Sequence, residues 1–362
     1  MKVGIIGSRG IPNNYGGFEQ FAEYLSLGLK KRGIEVWVYN SHNHPFKGNT
    51  WNNINIIHCF DPEDRIGTAG QFIYDLNCIL DSRKRQFDCL LQLGYTSSSV
   101  WQWLLPKKPA IVTNMDGIEW KRSKYSPLVR KFLKYAERLA VNSSDVLVAD
   151  SKAIADYLKS EYSQESVFIP YGAKVFDNPL VAGLKEFKVE AGKYFLLIAR
   201  LQPDNHVEEI IKGVIGSGTS FPLLVVGNTG NKFGQYLVNN YKSPVIRFCG
   251  GIFNAGMLDN LRFFSALYFH GHSAGGTNPS LLEAIAASAL ICAHDNPFNQ
   301  SVLGANAFYF KDEKDIAGLI GSGNYRSESR KFIENNLEII TKQYSWDQII
   351  QAYYQLFLKT EK

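Results

Sequence analysis

The chain has 362 residues, of which 45% are hydrophobic and 20% are charged, a composition typical of soluble globular proteins with room for two domains. The net charge of +5 is modest, and no basic-aromatic motif for base stacking occurs, so nucleic acid is not an expected partner. No segment approaches the ~20 apolar residues that span a bilayer, and the first residues lack the apolar run of a signal peptide. Five cysteines without a CxxC pair or metal-ligand spacing favour a reducing compartment. We therefore expect a cytoplasmic protein.

The first half of the chain alternates short apolar runs with helical stretches. A strand at 2–6, a glycine-rich loop at 7–17, a helix at 18–32 and a strand at 35–39 form a βαβ unit. Such alternation is typical of a parallel sheet covered by helices on both faces. Further strands of this sheet are predicted at 54–59, 89–93, 110–114, 146–149 and 167–169.

A second alternating series follows residues 177–193, whose looser composition predicts an interdomain linker. The fold class is therefore α/β, with two Rossmann-like doubly wound domains whose sheets are expected to face a shared cleft, where such sheets bind ligands. Near the end of the chain, Ser345 is the predicted N-cap of an amphipathic helix that runs to about residue 359. The strands of the second sheet are predicted at 194–199, 223–226, 245–248, 267–270 and 289–293.

The most informative segment is a glycine-rich loop at 275–278 that leads directly into an apolar helix. Free N–H groups and the positive end of the helix dipole favour an anion at such a helix start. Glu283, one turn into the helix, would repel a phosphate but could accept a hydrogen bond from a sugar hydroxyl. The segment therefore predicts a nucleotide-diphosphate site formed by Gly276, Thr277, Asn278, Pro279, Ser280, Leu281, Leu282 and Glu283.

Two further segments follow predicted strands and are candidates for the same ligand. Arg200 is well placed to bind a diphosphate, with Asn205 beside it, although pairing with Asp204 would make Arg200 an ordinary surface arginine. Gly16 and Gly17 would let the backbone approach a ligand closely; alternatively, the loop needs glycine only for its turn. No GxGxxG occurs there, which argues against a nicotinamide cofactor.

Asp116 and two histidines also follow strands. Asp116 is a candidate for binding sugar hydroxyls or orienting the transferred group, while an Asx turn that fixes Gly117 explains it about as well. His270 and His272 resemble a metal pair but lack a third ligand at a recognisable spacing. A strand-end histidine with a hydrogen-bonded neighbour is the favoured interpretation, and no metal is expected.

The segment 119–138 is rich in bases and could meet an anionic membrane surface. A solvated helix face explains the same pattern about as well. The candidate membrane-contact residues are Lys121, Arg122, Lys124, Arg130, Lys131 and Lys134.

With these residues placed, the sequence resembles the GT-B retaining glycosyltransferases of family 4 along nearly its whole length. The landmarks are 144–151 and 169–172 in the first domain, and 199–201, 224–227, 246–250 and 281–284 in the second. More narrowly, residues 10–19, 115–122 and 270–273 are similar to a bacterial rhamnosyltransferase subgroup of surface polysaccharide synthesis. The resemblance implies an acceptor-side domain of residues 1–172 plus about 345–362, and a nucleotide-sugar donor domain of residues 173–344.

The resemblance also implies an activity. It predicts retaining transfer of a hexose, most plausibly rhamnose from dTDP-rhamnose, to a lipid-linked or saccharide acceptor, as in capsule synthesis. It assigns Arg200 and Asp116 as catalytic residues, with the nucleotide sugar as substrate and no cofactor. It further places the protein in the cytoplasm, either free or at the inner face of the plasma membrane.

Three departures from the wider family stand out. Gly275 stands where the family has its first glutamate, Asn205 and His206 where it has a lysine, and Asp116 where it has a histidine. These departures keep two alternatives open: a nucleotide-sugar 2-epimerase, which would need clearer acids and histidines for proton abstraction, and a catalytically silent nucleotide-sugar-binding scaffold.

Overall fold

A computed structural model describes residues 1–14, 16–122, 125–252, 254–273 and 276–360. The strands are β1 Lys2–Ile6, β2 Glu35–Ser41, β3 Thr50–Trp51, β4 Ile54–Cys59, β5 Cys89–Leu93, β6 Ala110–Asn114, β7 Val146–Ala149, β8 Val167–Phe168, β9 Phe195–Ile198, β10 Leu223–Val226, β11 Ile246–Gly250, β12 Leu267–His270, β13 Ile291–His294 and β14 Phe308–Phe310. The helices are α1 Gly17–Lys31, α2 Glu63–Ile66, α3 Gly70–Ser82, α4 Pro127–Ser143, α5 Lys152–Tyr162, α6 Val207–Gly216, α7 Lys232–Asn240, α8 Ala255–Phe264, α9 Pro279–Ala286, α10 Pro297–Leu303, α11 Glu313–Ser322, α12 Tyr325–Gln343 and α13 Trp346–Thr360.

The chain forms two compact units, Met1–Gly172 with Trp346–Lys362, and Ala173–Ser345. Each unit contains one sheet, in the order β3-β4-β2-β1-β5-β6-β7-β8 in the first and β11-β10-β9-β12-β13-β14 in the second. The strand pairings of the described residues are parallel except that of β3 with β4, and the short β3 is not predicted by the periodicity. Two doubly wound α/β units, as the sequence predicts, therefore make up the described chain.

In the first unit, the final helix packs on α1. The rings of Tyr24 and Trp346 stack with their centroids 4.4 Å apart. A Cβ on Gly28 would lie 2.4 Å from Cδ1 of Ile350, so the two helices approach closely at this glycine. The apolar face of the predicted C-terminal helix is thereby buried within the first unit.

The second unit includes the segment predicted as a linker, and that prediction is wrong. The N–H of Leu180 donates to Asn260 Oδ1 on α8 over 2.7 Å, and the N–H of Phe176 donates to the carbonyl of Ala286 over 2.9 Å. Leu184 is only 2% exposed. Residues 177–193 are polar because most of them face solvent, while a few buried contacts anchor them to the unit.

The strand orders give each sheet a topological switch point, where successive connections leave in opposite directions. In the first sheet it lies between β1 and β5, and in the second between β9 and β12. Ligands of open α/β sheets bind outside the carboxyl ends of the strands at this position. The loops after these four strands are therefore where functional residues are expected in each unit.

Candidate functional site

In the second unit, the loop after β9 presents Arg200. Its side chain is exposed, and it has no ion pair or side-chain hydrogen bond within the described part of the chain, so pairing with Asp204 does not occupy it. Asn205 has a different role, because it is buried and its Nδ2 donates to the Arg200 carbonyl over 2.7 Å. Asn205 thus closes the loop that carries Arg200.

The loop after β12 passes very close to this β9 loop. A Cβ on Gly271 would lie 2.0 Å from the carbonyl oxygen of Asn205, a distance that no side chain can adopt. The Nδ1 atom of His206 lies 2.8 Å from the Gly271 carbonyl oxygen. Glycine at position 271 therefore brings together the two loops that flank the switch point.

The predicted phosphate-binding helix start exists but is already capped. Asn278 is the N-cap of α9, and its Oδ1 accepts from the N–H of Ser280 over 2.9 Å. The N–H groups of Leu281 and Leu282 both donate to the Asn278 carbonyl, and Pro279 has no N–H. Of the N–H groups from 278 to 282 that the sequence predicts to bind a diphosphate, those of Ser280, Leu281 and Leu282 are therefore already bonded within the helix start. The dipole of α9 still favours an anion, but direct donors must come from before Pro279 or from a displaced cap.

Glu283 is held by a residue that the sequence analysis missed. The Nη2 atom of Arg262, on α8, donates to Glu283 Oε2 over 2.6 Å, and its Nη1 donates to Asp259 over 2.8 Å. Arg262 is only 2% exposed. Despite burial, which acts in the opposite direction, Glu283 and other neighbouring groups raise the pKa of Arg262. The buried guanidinium of Arg262 therefore compensates the negative charge of Glu283 at the helix start.

Four histidines occur around the carboxyl ends of β9, β12 and β13. His206 stacks on His294 with ring centroids 3.8 Å apart, and His270 stacks on His272 at 4.5 Å. His270 is fully buried, and neither of its ring nitrogens has a hydrogen-bond partner among the described residues, contrary to the expected hydrogen-bonded neighbour. Burial, with His272 and Arg262 nearby, lowers the pKa of His270 well below its ordinary value. The ring is therefore neutral and adds no positive charge to this edge.

In the first unit, the loop after β1 needs glycine at two positions, but not at those predicted to approach a ligand. Gly7 and Gly10 have φ values of +89° and +121°. Gly16 is extended, with φ of −162°, and a Cβ there would meet only Glu19 Oε2, at 3.3 Å. Gly17 begins α1, and its carbonyl accepts from the Tyr171 hydroxyl over 2.9 Å. Glycine at position 16 is thus not required by a positive φ, and Gly16 serves as the N-cap of α1.

Asp116 follows β6 and is partly exposed. The next residue, Gly117, has φ of +71°, so the backbone turns here in a conformation that favours glycine. The Tyr95 hydroxyl lies 3.4 Å from the Gly117 carbonyl oxygen and 3.3 Å from Oε2 of the buried Glu137. These contacts brace the turn from inside the unit and leave the Asp116 carboxylate at its surface.

A buried acid, Asp75, lies near the switch point of the first sheet. Asp75, on α3, is 5% exposed and accepts from the hydroxyl of Ser97, in the loop after β5, over 2.6 Å. Burial raises the pKa of Asp75 to about 7. Sequence reasoning missed it because an aspartate within a helical pattern is ordinarily exposed.

The basic segment divides into engaged and exposed residues. The ammonium of Lys134 pairs with Glu137 at 3.2 Å and with Glu161 at 2.8 Å, and it lies 4.8 Å from the centroid of the Tyr162 ring. Although burial opposes the effect, these neighbours raise the pKa of Lys134. Its charge is therefore compensated within the unit, and its role as a membrane-contact residue stays a prediction.

Two arginines of this segment also form contacts within the unit. Arg122 pairs with Glu119 at 2.7 Å, and Arg130 donates from Nε to the Arg122 carbonyl over 3.2 Å. Lys121 and Lys131 are exposed, whereas Lys124, like Gly275 at the start of the glycine-rich loop, lies outside the described residues. The exposed positive charge of this segment therefore comes mainly from Lys121, Lys131 and Arg138.

Among the described residues, no three His, Cys, Asp or Glu side chains are grouped as a metal ion would require. All five cysteines are free thiols. None of the helices in this part of the chain is both long and apolar enough to cross a bilayer.

Comparisons with known proteins bear on the fold. Residues 1–90 and 105–174 match a family model described as a domain of unknown function, DUF1972, and no curated protein matches the sequence. Sucrose-phosphate synthase from Thermosynechococcus elongatus is similar in structure, with a TM-score of 0.81 and 15% identity over 99% of this chain and 98% of that one. Anabaena HepE in complex with UDP-glucose has a TM-score of 0.75 and 13% identity over 99% of both chains. A glycosyltransferase from Rickettsia africae has a TM-score of 0.70 and 13% identity over 100% of this chain and 98% of that one.

The chain has the GT-B fold. The fold class predicted from the sequence is thereby confirmed, because the similarity extends through both α/β units. At these identities the comparison defines architecture, and the function has to be argued from the residues at the two switch points.

Proposed function

We propose that this protein is a nucleotide-sugar-dependent glycosyltransferase of GT-B type that moves a hexose with retention of configuration. The observation that carries the proposal is the second switch point, where an exposed Arg200 lies at the end of β9 in the same sheet edge from which α9 and Glu283 follow β12. An unpaired guanidinium binds a diphosphate well, and the dipole of α9 acts in the same direction. The UDP-glucose in the HepE structure supports a nucleotide-sugar donor for this fold.

The donor we propose is dTDP-rhamnose, on the resemblance of residues 10–19, 115–122 and 270–273 to rhamnosyltransferases. Arg200 would stabilise the negative charge that develops on the departing diphosphate, and Glu283 would accept a hydrogen bond from the sugar of the nucleoside. Gly276, Thr277 and Asn278 would supply the nearby backbone. In a same-face mechanism the leaving phosphate accepts the proton of the acceptor, so no protein base is required. A metal is not required either if the guanidinium compensates the diphosphate.

On the first unit, we propose that Asp116 and the backbone at Gly16 and Gly17 position the transferred sugar and the acceptor. The partly exposed Asp116 carboxylate suits a hydroxyl-bearing ligand because its turn is braced from inside. Positioning of this kind can account for a large part of a rate enhancement. The acceptor would be a lipid-linked or free saccharide of a surface polysaccharide.

The surface of α4 supports a lipid-linked acceptor. Leu128 is 78% exposed and Tyr135 57% exposed, and Trp103, in the neighbouring 3-10 helix Ser99–Leu104, is 69% exposed. Lys131 lies one turn from Leu128 and one turn from Tyr135 on α4, and Lys121 is in the short helix 119–121 that contacts α4. Apolar groups surrounded by lysines suit an anionic lipid surface, and we propose reversible contact with the inner face of the plasma membrane.

The decisive experiment incubates the purified chain with a panel of nucleotide sugars and a lipid-linked glucose acceptor. Formation of a glycolipid supports the transferase, and the one-bond C1–H1 coupling constant of the transferred sugar decides between retention and inversion. Isomerised donor without glycolipid would identify an epimerase, and binding without turnover a silent scaffold. Either of those outcomes would overturn the proposal.

A further inference from the structure

The buried Arg262 connects two helices at the second switch point. It lies on α8 with its side chain 3% exposed, and it bonds Asp259 one turn earlier on the same helix. Its Nη2 reaches α9, where it lies 2.6 Å from Glu283 Oε2 and 3.4 Å from Ser280 Oγ. The Ser280 hydroxyl in turn lies 3.0 Å from the Tyr268 hydroxyl on β12. One guanidinium thereby anchors the first two turns of α9 to the body of the unit.

The same contact decides which part of Glu283 is available to a ligand. Oε2 is occupied by Arg262, whereas Oε1 accepts no hydrogen bond from the described residues, and the side chain is 30% exposed. A charge-assisted bond as short as 2.6 Å holds a carboxylate in one orientation.

We infer that Arg262 is a positioning residue that orients Glu283 Oε1 toward a sugar hydroxyl of the bound nucleotide. The inference rests on the proposed function, since it assigns Glu283 to the nucleoside part of the donor. Arg262 itself does not contact the ligand, because it is buried beneath Glu283. Its effect should therefore depend both on Glu283 and on the hydroxyl that Glu283 binds.

The test measures binding of dTDP and of its 3′-deoxy analogue, which lacks only that hydroxyl, by calorimetry. The parent should prefer dTDP by about tenfold, the size expected for a hydrogen bond to a charged group. Arg262→Gln should abolish most of this preference while changing affinity for the analogue little. In a Glu283→Gln background, adding Arg262→Gln should change the preference no further. Arg247→Gln, which removes an exposed arginine of β11, is the matched control and should retain the preference.

Each other outcome has a definite meaning. If Arg262→Gln weakened both ligands equally, or if the two substitutions were additive, Arg262 would be a purely structural residue. A parent that binds both ligands without preference would overturn the inference and leave the proposed function standing, whereas a parent that binds neither would overturn both. If the glutamine variant does not fold, Arg262→Lys serves instead. Its shorter reach should give a preference between those of the parent and Glu283→Gln, and an unchanged preference would contradict the inference.

Discussion

The carboxyl edges of the two sheets have the same backbone arrangement at their switch points, but they differ in the charged side chains that they carry. In the first unit the edge has buried acids: Glu19 accepts from the Arg9 N–H over 2.7 Å, and Asp75 accepts from the Ser97 hydroxyl over 2.6 Å. In the second unit the edge has an exposed Arg200, the neutral His270, and one acid that a buried arginine compensates. This difference suits the first edge to hydroxyl-bearing ligands and the second to an anion.

The two edges share a glycine at which the backbones of two loops approach each other closely. A Cβ on Gly7 would lie 2.3 Å from the Leu93 carbonyl oxygen, and one on Gly271 would lie 2.0 Å from that of Asn205. Both glycines lie at switch points, where the loops from two neighbouring strands must pass each other. The scaffold of the two edges is thus alike, and their side chains set them apart.

The largest expected effect tests the shared feature. Gly7→Ala and Gly271→Ala should each destabilise the protein by about 3 to 4 kcal/mol, because carbonyl oxygens of the backbone cannot move aside as side chains can. Gly318→Ala, on α11, adds the same methyl group where nothing lies within 4 Å. It should be neutral or slightly stabilising in the same thermal unfolding measurement. Equal effects for all three variants would show that the close approach is not what requires glycine.

The next prediction concerns the acids of the first edge. The folded pKa of Asp75 is about 7, above its ordinary value of 3.8, so between these pH values the folded state keeps a proton that the unfolded chain has lost. Stability from this group is fully present below the unfolded value and is lost as pH rises to 7. Asp75→Asn should therefore be more stable than the parent at pH 8, by about 3 kcal/mol, and about equal to it at pH 4.

Asp81, on the same helix, is a control whose pKa shift has the opposite sign to that of Asp75. Although partial burial opposes it, hydrogen bonds from Arg85 and Tyr39 lower the pKa of Asp81. Asp81→Asn should therefore destabilise the protein at pH 8. Denaturant unfolding at several pH values measures both variants, and a parallel pH dependence of the two would contradict the assignment.

The third prediction concerns the cation of the second edge. Arg200→Ala should lower kcat for sugar transfer about a hundredfold, the usual cost of one group that stabilises transition-state charge. Arg247→Ala removes another exposed arginine, whose guanidinium only donates to carbonyls of Phe187 and Lys188, and should retain activity. Wild-type turnover by Arg200→Ala would show that the diphosphate is compensated by other groups.

The smallest effect is expected at the surface of α4. Replacing Lys121 and Lys131 with glutamate should weaken binding to vesicles of anionic lipid at low salt, by about 1 kcal/mol for each lysine removed from the membrane. Lys232→Glu with Lys242→Glu makes the same charge change on exposed positions of the second unit. Cosedimentation that falls equally for both pairs would indicate only a net-charge effect, and unchanged binding would end the membrane proposal.

Several features could be predicted from the sequence because they are local. Apolar runs of four to seven residues between helical patterns predict the strands, and nearly all of them begin and end within two residues of the predicted positions. The helix start at Asn278 and the exposed cation at Arg200 also follow from neighbours along the chain. By contrast, β3 and β14 are too short for periodicity to identify, and residues 177–193 are anchored by a few contacts that their polar composition conceals.

Only the tertiary structure decided how these residues are used. It paired Arg262 with Glu283, which lies 21 positions later in the chain, and it paired Lys134 of α4 with Glu161 of α5. It also showed that the first N–H groups of α9 donate to the side chain and carbonyl of the N-cap residue Asn278. The sequence by itself determined the two α/β units and their candidate loops, because local periodicity encodes them. The pairing of buried charges depends on which helices and loops meet at a switch point, which no local pattern encodes.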